Sequence, residues 1–267
     1  MNAGADAVCF DLEDAVDAAH KEKARALIAE FLSTPPPSQA LRLIRFNALD
    51  TETGQADLEL FRDVQGFDGV LLPKVETPGM LEMVARVFAG GSPPRQVPLL
   101  PLLETPRAIL RAGDIAAADA PVAALLFGAE DLTARLAVPR TIDGEELLFP
   151  RAQIACAAAA VGAEAIDGVV TNLDDLAVLR RDGERARALG FRGKLAIHPK
   201  QVPVINELFT PSQAEIDKAR RLVEAFETAR AAGHGVSRMD NEMVELPIVE
   251  RARRTLALAA RYAGESR

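Results

Sequence analysis

The sequence contains no tryptophan, and aromatic residues make up only 4% of its 267 residues. Proteins that bind single-stranded nucleic acid stack bases on aromatic side chains, so this composition argues against that class. The chain also has no excess of basic residues, because 31 Lys and Arg stand against 39 Asp and Glu, a formal charge of −8. We expect no broad attraction to phosphate backbones and predict no nucleic-acid partner.

Membrane-spanning and secretory signals are missing as well. No apolar run approaches the roughly 18 residues that cross a membrane. The N-terminus has no basic segment followed by an apolar core, which is the usual form of a secretory signal. The two cysteines, Cys9 and Cys156, have neither metal-ligand spacing nor a disulfide pattern. We predict two buried thiols in a cytoplasmic protein without a membrane partner.

Three catalytic signatures are absent too. The chain contains no Walker loop, no Gly-x-Gly-x-x-Gly fingerprint and no recognisable Ser–His–Asp grouping. ATP use, a dinucleotide-binding fold and nucleophilic hydrolysis therefore lack their usual motifs.

Short apolar runs are what the chain does have, and they begin near residues 7, 41, 69, 98, 122, 165 and 194. Helix-like stretches separate them, as expected for repeated strand, loop and crossover helix. We predict a TIM-type (β/α)8 barrel over residues 1–205 whose first strand is missing or abbreviated. Residues 206–267 are predicted to form a helical extension that covers the barrel, or a lid or subunit-crossing arm.

Charged side chains follow these runs. They are Asp11, Glu13 and Asp14 after the first, then Arg45, Lys74, Glu104, Glu130 with Asp131, and His198. The carboxyl ends of parallel strands share one face, where ligands bind. Carboxylates and a guanidinium gathered there predict a metal-assisted enzyme with an anionic substrate.

Glu104 and Asp131 are the best candidates for a metal pair, because each follows a strongly apolar run. Two carboxylates, several waters and a bidentate substrate complete the octahedral oxygen shell that Mg²⁺ demands. Structural ion pairs or helix caps are the alternative. Glu13 and Asp14 are expected to orient a water ligand of the metal, although capping of the helix that starts near Asp17 fits them equally well.

Arg45 can bind a carboxylate or stabilise negative charge on an oxygen. A salt bridge to the acidic residues after the first strand is the alternative. Lys74 is assigned to substrate contact with less specificity. His198, in Ala196-Ile197-His198-Pro199, either donates to the substrate or shapes its turn, and the turn is the favoured interpretation.

Seven segments resemble the citrate lyase β-subunit-like, HpcH/HpaI aldolase family, in order along nearly the whole chain. They are Gly4-Ala5-Asp6-Ala7, Asp11-Leu12-Glu13-Asp14-Ala15-Val16, Arg45-Phe46-Asn47, Leu72-Pro73-Lys74-Val75-Glu76, Leu103-Glu104-Thr105, Phe127-Gly128-Ala129-Glu130-Asp131-Leu132 and residues 193–202. The resemblance implies a (β/α)8 barrel that uses Mg²⁺ to cleave or form a carbon–carbon bond beside a CoA thioester.

That family's metal ligands match Glu104 and Asp131, and its active-site arginine matches Arg45. The implied partners are an acyl-CoA, such as citryl-, malyl- or citramalyl-CoA, and a 2-oxo acid, in a homotrimer or hexamer. Arg45 would stabilise the enolate of acetyl-CoA. A pyruvate-dependent aldolase acting on free hydroxy-oxo acids and a non-catalytic CoA- or metabolite-binding subunit of a lyase complex are the alternatives.

Two departures from the family pattern stand out. The first strand of the family, which carries a basic residue near the thioester, has no match here. In the tail, relatives often read Asp-Gly-Lys-Met-Ile-Asp, and the final Asp reaches a neighbouring subunit's site as acid or base. This chain reads Asp240-Asn241-Glu242-Met243-Val244-Glu245, so Glu245 is the candidate catalytic carboxylate with one added methylene.

Overall fold

A computed structural model describes residues 3–36, 38–231, 237–239 and 242–265. The chain divides into two compact units, residues 1–205 and 206–267. Seven strands build the sheet of the first unit: β1 (Ala7–Asp11), β2 (Leu41–Arg45), β3 (Gly69–Leu72), β4 (Leu99–Leu103), β5 (Ala124–Phe127), β6 (Glu164–Asp167) and β7 (Gly193–Lys194).

Helices connect these strands. They are α1 (Lys21–Leu32), α2 (Glu52–Phe61), α3 (Pro78–Ala89), α4 (Pro106–Leu110), α5 (Ala112–Ala116), α6 (Ala129–Leu136), α7 (Leu148–Val161), α8 (Leu176–Leu189) and α9 (Val202–Phe209), with 3₁₀ turns at Ala18–His20, Glu145–Leu147 and Pro199–Gln201. None of the helices in the described part of the chain is long and apolar enough to cross a membrane.

All seven strands run parallel, and their spatial order follows their order in the sequence. This is the order of a singly wound barrel, so the predicted TIM-type fold is confirmed, with seven strands in the sheet. Each strand begins within two residues of the predicted position.

Apolar side chains cover both faces of the sheet, as expected for buried parallel strands. One face carries the cluster of Leu71, Leu102, Ala124 and Leu126, with Leu100, Ile166 and Leu195 against it. Alternate residues point to the helices, and among them Ile44, Val70, Leu72, Leu99, Leu103 and Phe127 are buried. The period of two along each strand therefore separates an inner layer from a helix-facing layer.

Strand register brings the charged ends together. Asp11 pairs with Arg45 across β1 and β2, and Arg45 pairs with Leu71 across β2 and β3. Glu104 directly follows β4. The C-terminal ends of four neighbouring strands thus deliver charged groups to one rim.

Two predictions about this unit are wrong. The strand predicted to begin near residue 194, in the apolar run that His198 follows, ends at Lys194, because β6 ends at Asp167 opposite Lys194 and the chain then turns toward Pro199. Cys9 and Cys156 are exposed, not buried. Cys9 belongs to β1 at the end of the strand order, and Cys156 lies opposite the buried side of α7, which includes Ile154 and Ala158.

The second unit contains α10 (Gln213–Ala231), the antiparallel strands β8 (Ser237–Met239) and β9 (Glu242–Val244), and α11 (Leu246–Glu265). Its core consists of Ala219, Leu222, Phe226, Val244, Val249 and Ala252. The Ser212 and Glu215 side chains form a capping box before α10, with Ser212 Oγ 2.9 Å from Glu215 Oε2. The hairpin was not predicted.

Candidate active site

Arg45 is the centre of a chain of ion pairs at the rim. Its Nε donates to Asp11 Oδ1 at 2.7 Å and its Nη2 donates to Asp11 Oδ2 at 2.5 Å. Its Nη1 lies 2.9 Å from Glu13 Oε2. Burial opposes ionisation of Asp11, but the hydrogen bonds and charge of Arg45, together with the main-chain N–H groups of Glu13 and Ala15, outweigh it and lower the Asp11 pKa. The fork geometry fixes the guanidinium plane.

Glu13 connects Arg45 to Lys74, because its second oxygen, Oε1, accepts from Lys74 Nζ at 3.0 Å. Glu13 is 6% exposed, and burial raises its pKa despite both cations. Lys21 holds the loop beneath by donating from Nζ to the carbonyls of Leu12 and Glu13, both at 2.8 Å. Asp14, the other residue expected to orient water, is exposed.

Lys74 lies between the two carboxylates Glu13 and Glu104. Its main-chain N–H donates to Glu104 Oε1 at 2.8 Å. Its backbone has φ of 53°, the left-handed region that L-residues rarely adopt. The ammonium is paired with Glu13, so the structure gives Lys74 a partner within the protein, and its contact with a substrate stays a prediction.

Glu104 is a buried acid at the rim with a strongly raised pKa. It is 3% exposed, and burial, reinforced by the charge of Asp131, raises its pKa to about 8. Asp131 stands in the first turn of α6, directly after β5. A divalent cation would relieve a buried carboxyl group whose ionisation is opposed by a neighbouring carboxylate.

Gly128 makes room for the Glu104 side chain. A Cβ added at Gly128 would lie 2.4 Å from Glu104 Cβ and 2.7 Å from Glu104 Oε2. Glu104 therefore has a main-chain N–H at one oxygen and a glycine against the other. Gly128 belongs to the Phe127-Gly128-Ala129-Glu130-Asp131 segment quoted for the family resemblance, but sequence spacing alone could not reveal how closely it approaches Glu104.

The donor set fits a hard divalent cation. Glu104 and Asp131 supply carboxylate oxygens, and Mg²⁺ usually keeps several waters beside one or two carboxylates. The described residues contain no group of three or more His, Cys, Asp and Glu side chains arranged for a metal.

Sequence reasoning missed the anchor of the loop after β2. Asp57, fully buried in α2, accepts from the Asn47 amide nitrogen at 2.7 Å and from its Nδ2 at 2.6 Å. Arg25 Nε donates to the same carboxylate at 2.5 Å. Asn47 follows Arg45 by two residues, so these bonds hold the loop next to the guanidinium. Asn47 belongs to the recognised motif, whereas Asp57 gave no signal because it lies within a helix.

A buried quartet of Arg151, Asp167, Asp182 and Lys194 was also missed. Arg151 donates to both Asp167 oxygens at 2.9 Å and to Asp182 at 2.8 and 2.9 Å. Lys194 pairs with Asp167 and lies 2.6 Å from Asp182. The quartet ties β6 and β7 to α7 and α8. The ion pairs of Lys194 could not be predicted, because Lys194 is the first residue of a run that was predicted as an apolar strand.

The structure gives contacts for three other candidates, His198, Glu130 and Glu245. His198 Nδ1 accepts from the Lys200 amide at 3.1 Å, which is the turn-shaping role. Glu130 forms an ion pair with Arg140. Glu245 is exposed and precedes α11 in the second unit, where its carbonyl accepts from Ile248 and Val249 at 3.0 and 3.1 Å. Asp240 and Asn241 of the altered tail motif lie outside the described residues.

Comparison with known proteins gives this geometry a family. The family model described as HpcH/HpaI aldolase/citrate lyase matches residues 1–199. The chain belongs to this family. Membership in the HpcH/HpaI family confirms the resemblance inferred from the seven segments, and it confirms the prediction of a lyase-type enzyme. The relatives support a CoA-ester lyase-type family at this level.

Individual relatives of this HpcH/HpaI member cover nearly the whole chain. It is 38% identical over 261 residues to citrate lyase subunit beta of Escherichia coli K12, covering 96% of this chain and 86% of that protein. It is 39% identical over 257 residues to (3S)-malyl-CoA thioesterase of Cereibacter sphaeroides, covering 96% and 87%. The structure of protein CitE from Mycobacterium tuberculosis, in complex with magnesium, acetoacetate and coenzyme A, matches with 32% identity and a TM-score of 0.78, covering 96% and 90%.

Proposed function

We propose that the protein is a Mg²⁺-dependent carbon–carbon lyase. Its substrate is a 3-hydroxyacyl-CoA such as citryl-, malyl- or citramalyl-CoA, and its products are acetyl-CoA and a 2-oxo acid. The observation that carries the proposal is the buried Glu104, whose pKa is raised to about 8 beside Asp131, at the same rim as Arg45. The magnesium, acetoacetate and coenzyme A held together by the M. tuberculosis relative support it.

Glu104 and Asp131 would hold the Mg²⁺. When bound, Mg²⁺ supplies Lewis-acid polarisation of the oxygens of a 2-oxo acid. The fit rests on two neighbouring acidic groups, one of which, Glu104, is almost fully buried and has a raised pKa. Glu13 and Asp14 remain candidates for orienting water at this site, Glu13 through lone pairs not taken by Arg45 and Lys74.

Arg45 would stabilise the developing negative charge. Cleavage would break the bond between C2 and C3 of the acyl chain, and its electron pair would move into the enolate of acetyl-CoA while the C3 hydroxyl gives its proton to water and becomes a carbonyl. Three of the five N–H donors of Arg45 are used by Asp11 and Glu13. The side chain is 23% exposed, so the remaining donors are available to an enolate oxygen.

Proton transfer at the enolate carbon is assigned to Glu245. In this proposal Glu245 comes from a neighbouring subunit of a homotrimer or hexamer, as the family resemblance implies. Its exposed position before α11 leaves the carboxylate available to another subunit.

The cytoplasmic location expected from the cysteine usage also stays a prediction.

A second candidate is thioester hydrolysis, which the 39% identity to a (3S)-malyl-CoA thioesterase favours. Malyl-, citramalyl- and citryl-CoA should be assayed in parallel with Mg²⁺ and with EDTA, and the products separated by chromatography. Lysis releases acetyl-CoA and a 2-oxo acid, whereas hydrolysis releases free CoA and a hydroxy acid. Binding of the esters without turnover of any would favour a non-catalytic subunit of a lyase complex, and turnover of free hydroxy-oxo acids alone would favour the aldolase alternative.

A further inference from the structure

Among the described residues at the rim, Lys74 is the non-glycine residue with a left-handed backbone conformation. It follows β3 by two residues and has φ of 53°. Its neighbours Pro73 and Val75 are both buried, Val75 completely. The chain on either side of Lys74 is therefore fixed by packing, and the residue between cannot relax by moving its flanks.

Two different parts of Lys74 contact two different carboxylates. The main-chain N–H donates to Glu104 Oε1 at 2.8 Å. The ammonium donates to Glu13 Oε1 at 3.0 Å, and Glu13 Oε2 lies 2.9 Å from Arg45 Nη1. The main chain of Lys74 thus contacts the candidate metal ligand Glu104, while its side chain contacts Glu13, which pairs with Arg45.

We propose that Lys74 is a positioning residue with two separable roles, in which its left-handed main chain aligns Glu104 for a divalent cation and its ammonium aligns Arg45 through Glu13. This inference rests on the proposed metal site. A residue that resists positive φ must rotate the peptide groups beside it, because Pro73 and Val75 are held in place. That rotation moves the N–H away from Glu104 Oε1 and leaves the carboxylate free to turn.

The ammonium cannot account for both effects. It reaches Glu13 and is 35% exposed at the side chain, whereas the atom that touches Glu104 is the amide nitrogen. Substitutions at position 74 all keep that amide, provided the new residue is not proline. The backbone preference of the new residue and the loss of the charge can therefore be varied independently.

The test compares Lys74→Gly with Lys74→Val, with Mn²⁺ binding measured by electron paramagnetic resonance. Both variants lack the ammonium, but glycine accepts positive φ and a β-branched residue does not. We expect Lys74→Gly to bind Mn²⁺ within about threefold of the unmodified protein and Lys74→Val to bind at least about tenfold more weakly, the usual cost of losing a partner of a metal ligand. Turnover should fall in both, since both lose the contact to Glu13.

Ala137 provides the matched control. It also has a left-handed backbone, with φ of 56°, but it is exposed at the end of α6 and caps a helix. Ala137→Val should lower the melting temperature and leave Mn²⁺ affinity unchanged. If Lys74→Val does not fold, Lys74→Thr and Lys74→Asn replace the pair, since Asn tolerates positive φ and a β-branched residue does not.

Three results would overturn the inference. Equal weakening of Mn²⁺ binding by Lys74→Gly and Lys74→Val would assign the effect to the ammonium. No weakening by either would show that the N–H contact plays no part in metal binding. Absence of Mn²⁺ binding by the unmodified protein would remove the proposed metal site itself, and the inference with it.

Discussion

Gly128 and Glu104 approach so closely that no side chain fits between them. The Cβ of an alanine at position 128 would lie 2.4 Å from Glu104 Cβ, well inside van der Waals contact. Because Glu104 is buried and accepts from the Lys74 amide at 2.8 Å, it has little room to retreat. The identity of a residue that carries no functional group therefore controls the position of the candidate metal ligand.

Gly128→Ala should displace the Glu104 carboxylate. We expect a loss of about 1–3 kcal/mol in unfolding free energy, as for other overpacked sites, and at least tenfold weaker Mn²⁺ binding. Gly113→Ala is the control, because a Cβ at Gly113 meets nothing within 4 Å and the position lies in α5. That variant should be as stable as the parent or slightly more so. Metal affinity of Gly128→Ala equal to the parent's would show that Glu104 can move without consequence.

Arg45→Met should depress turnover much more than metal binding. The guanidinium contacts Asp11 and Glu13 and is proposed to meet the enolate oxygen, so its loss should cost about 100- to 1000-fold in kcat. Arg45→Lys should recover little, because an ammonium cannot reproduce the two-pronged contact with Asp11. Steady-state kinetics and metal titration on the same preparations provide the comparison. Parallel losses in both quantities would contradict the assigned role.

Glu245→Gln should lower kcat by about 100-fold if its carboxylate transfers the proton. Glu250→Gln is the matched control, an exposed glutamate in α11, and should leave kcat unchanged. Glu245→Asp, which restores the shorter acid of the family pattern, should retain most of the activity. Full lyase activity in Glu245→Gln would exclude this residue from the reaction.

The origin of the Glu245 carboxylate can be tested in the same experiment. Inactive Glu245→Gln and inactive Arg45→Met chains, when dissociated and reassembled together, should regain part of the activity if one subunit completes another's site. Mixtures that stay inactive, with mixed oligomers shown by mass spectrometry, would place both residues in sites built from a single chain.

Asp182→Asn should destabilise the first unit strongly. It leaves Arg151 and Lys194 buried with one carboxylate fewer, and breaking a buried ion pair costs about 3–5 kcal/mol. Asp114→Asn, which removes an exposed pair with Arg111, should cost less than about 1 kcal/mol. Urea unfolding measures both. A small loss for Asp182→Asn would mean that the quartet does not stabilise the fold.

The pH dependence of the quartet follows from the same contacts. Burial opposes ionisation of Asp182, but Lys194 and Arg151 outweigh it and lower the Asp182 pKa. The group's contribution to stability is therefore complete above its unfolded pKa and is lost as the pH falls through the folded pKa. The acid-unfolding transition should consequently be less steep in Asp182→Asn.

The strand starts could be predicted because buried parallel strands are short apolar runs bounded by turns, as at Leu41 and Gly69. The end of β7 could not be predicted, because Leu195–Ile197 is as apolar as a strand and only the structure shows that β6 ends at Asp167, opposite Lys194. The hairpin of β8 and β9 lies in a polar stretch without an alternating pattern. Periodicity therefore gave no indication of it.

The site was partly visible because Arg45 and Glu104 each follow an apolar run, and parallel strands end on one face. Their chemical roles remain predictions. What the sequence could not show depends on three-dimensional distance: the left-handed backbone of Lys74, the approach of Gly128 to Glu104, and the desolvation that raises the Glu104 pKa. The exposure of Cys9 belongs to the same class, because it depends on the place of β1 in the sheet.

The central claim is that Glu104 and Asp131 hold a divalent cation. Measuring the affinity for Mg²⁺ or Mn²⁺ as a function of pH tests it most directly. The Glu104 pKa of about 8 lies above its ordinary value of 4.5. In the metal-free protein, the contribution of Glu104 to folding stability is therefore fully present below pH 4.5 and is lost as the pH rises through 8. The cation displaces that proton, so its affinity should rise with pH and level off above about 8. Glu104→Gln should bind weakly at every pH. Tight, pH-independent binding that survives Glu104→Gln would contradict the account.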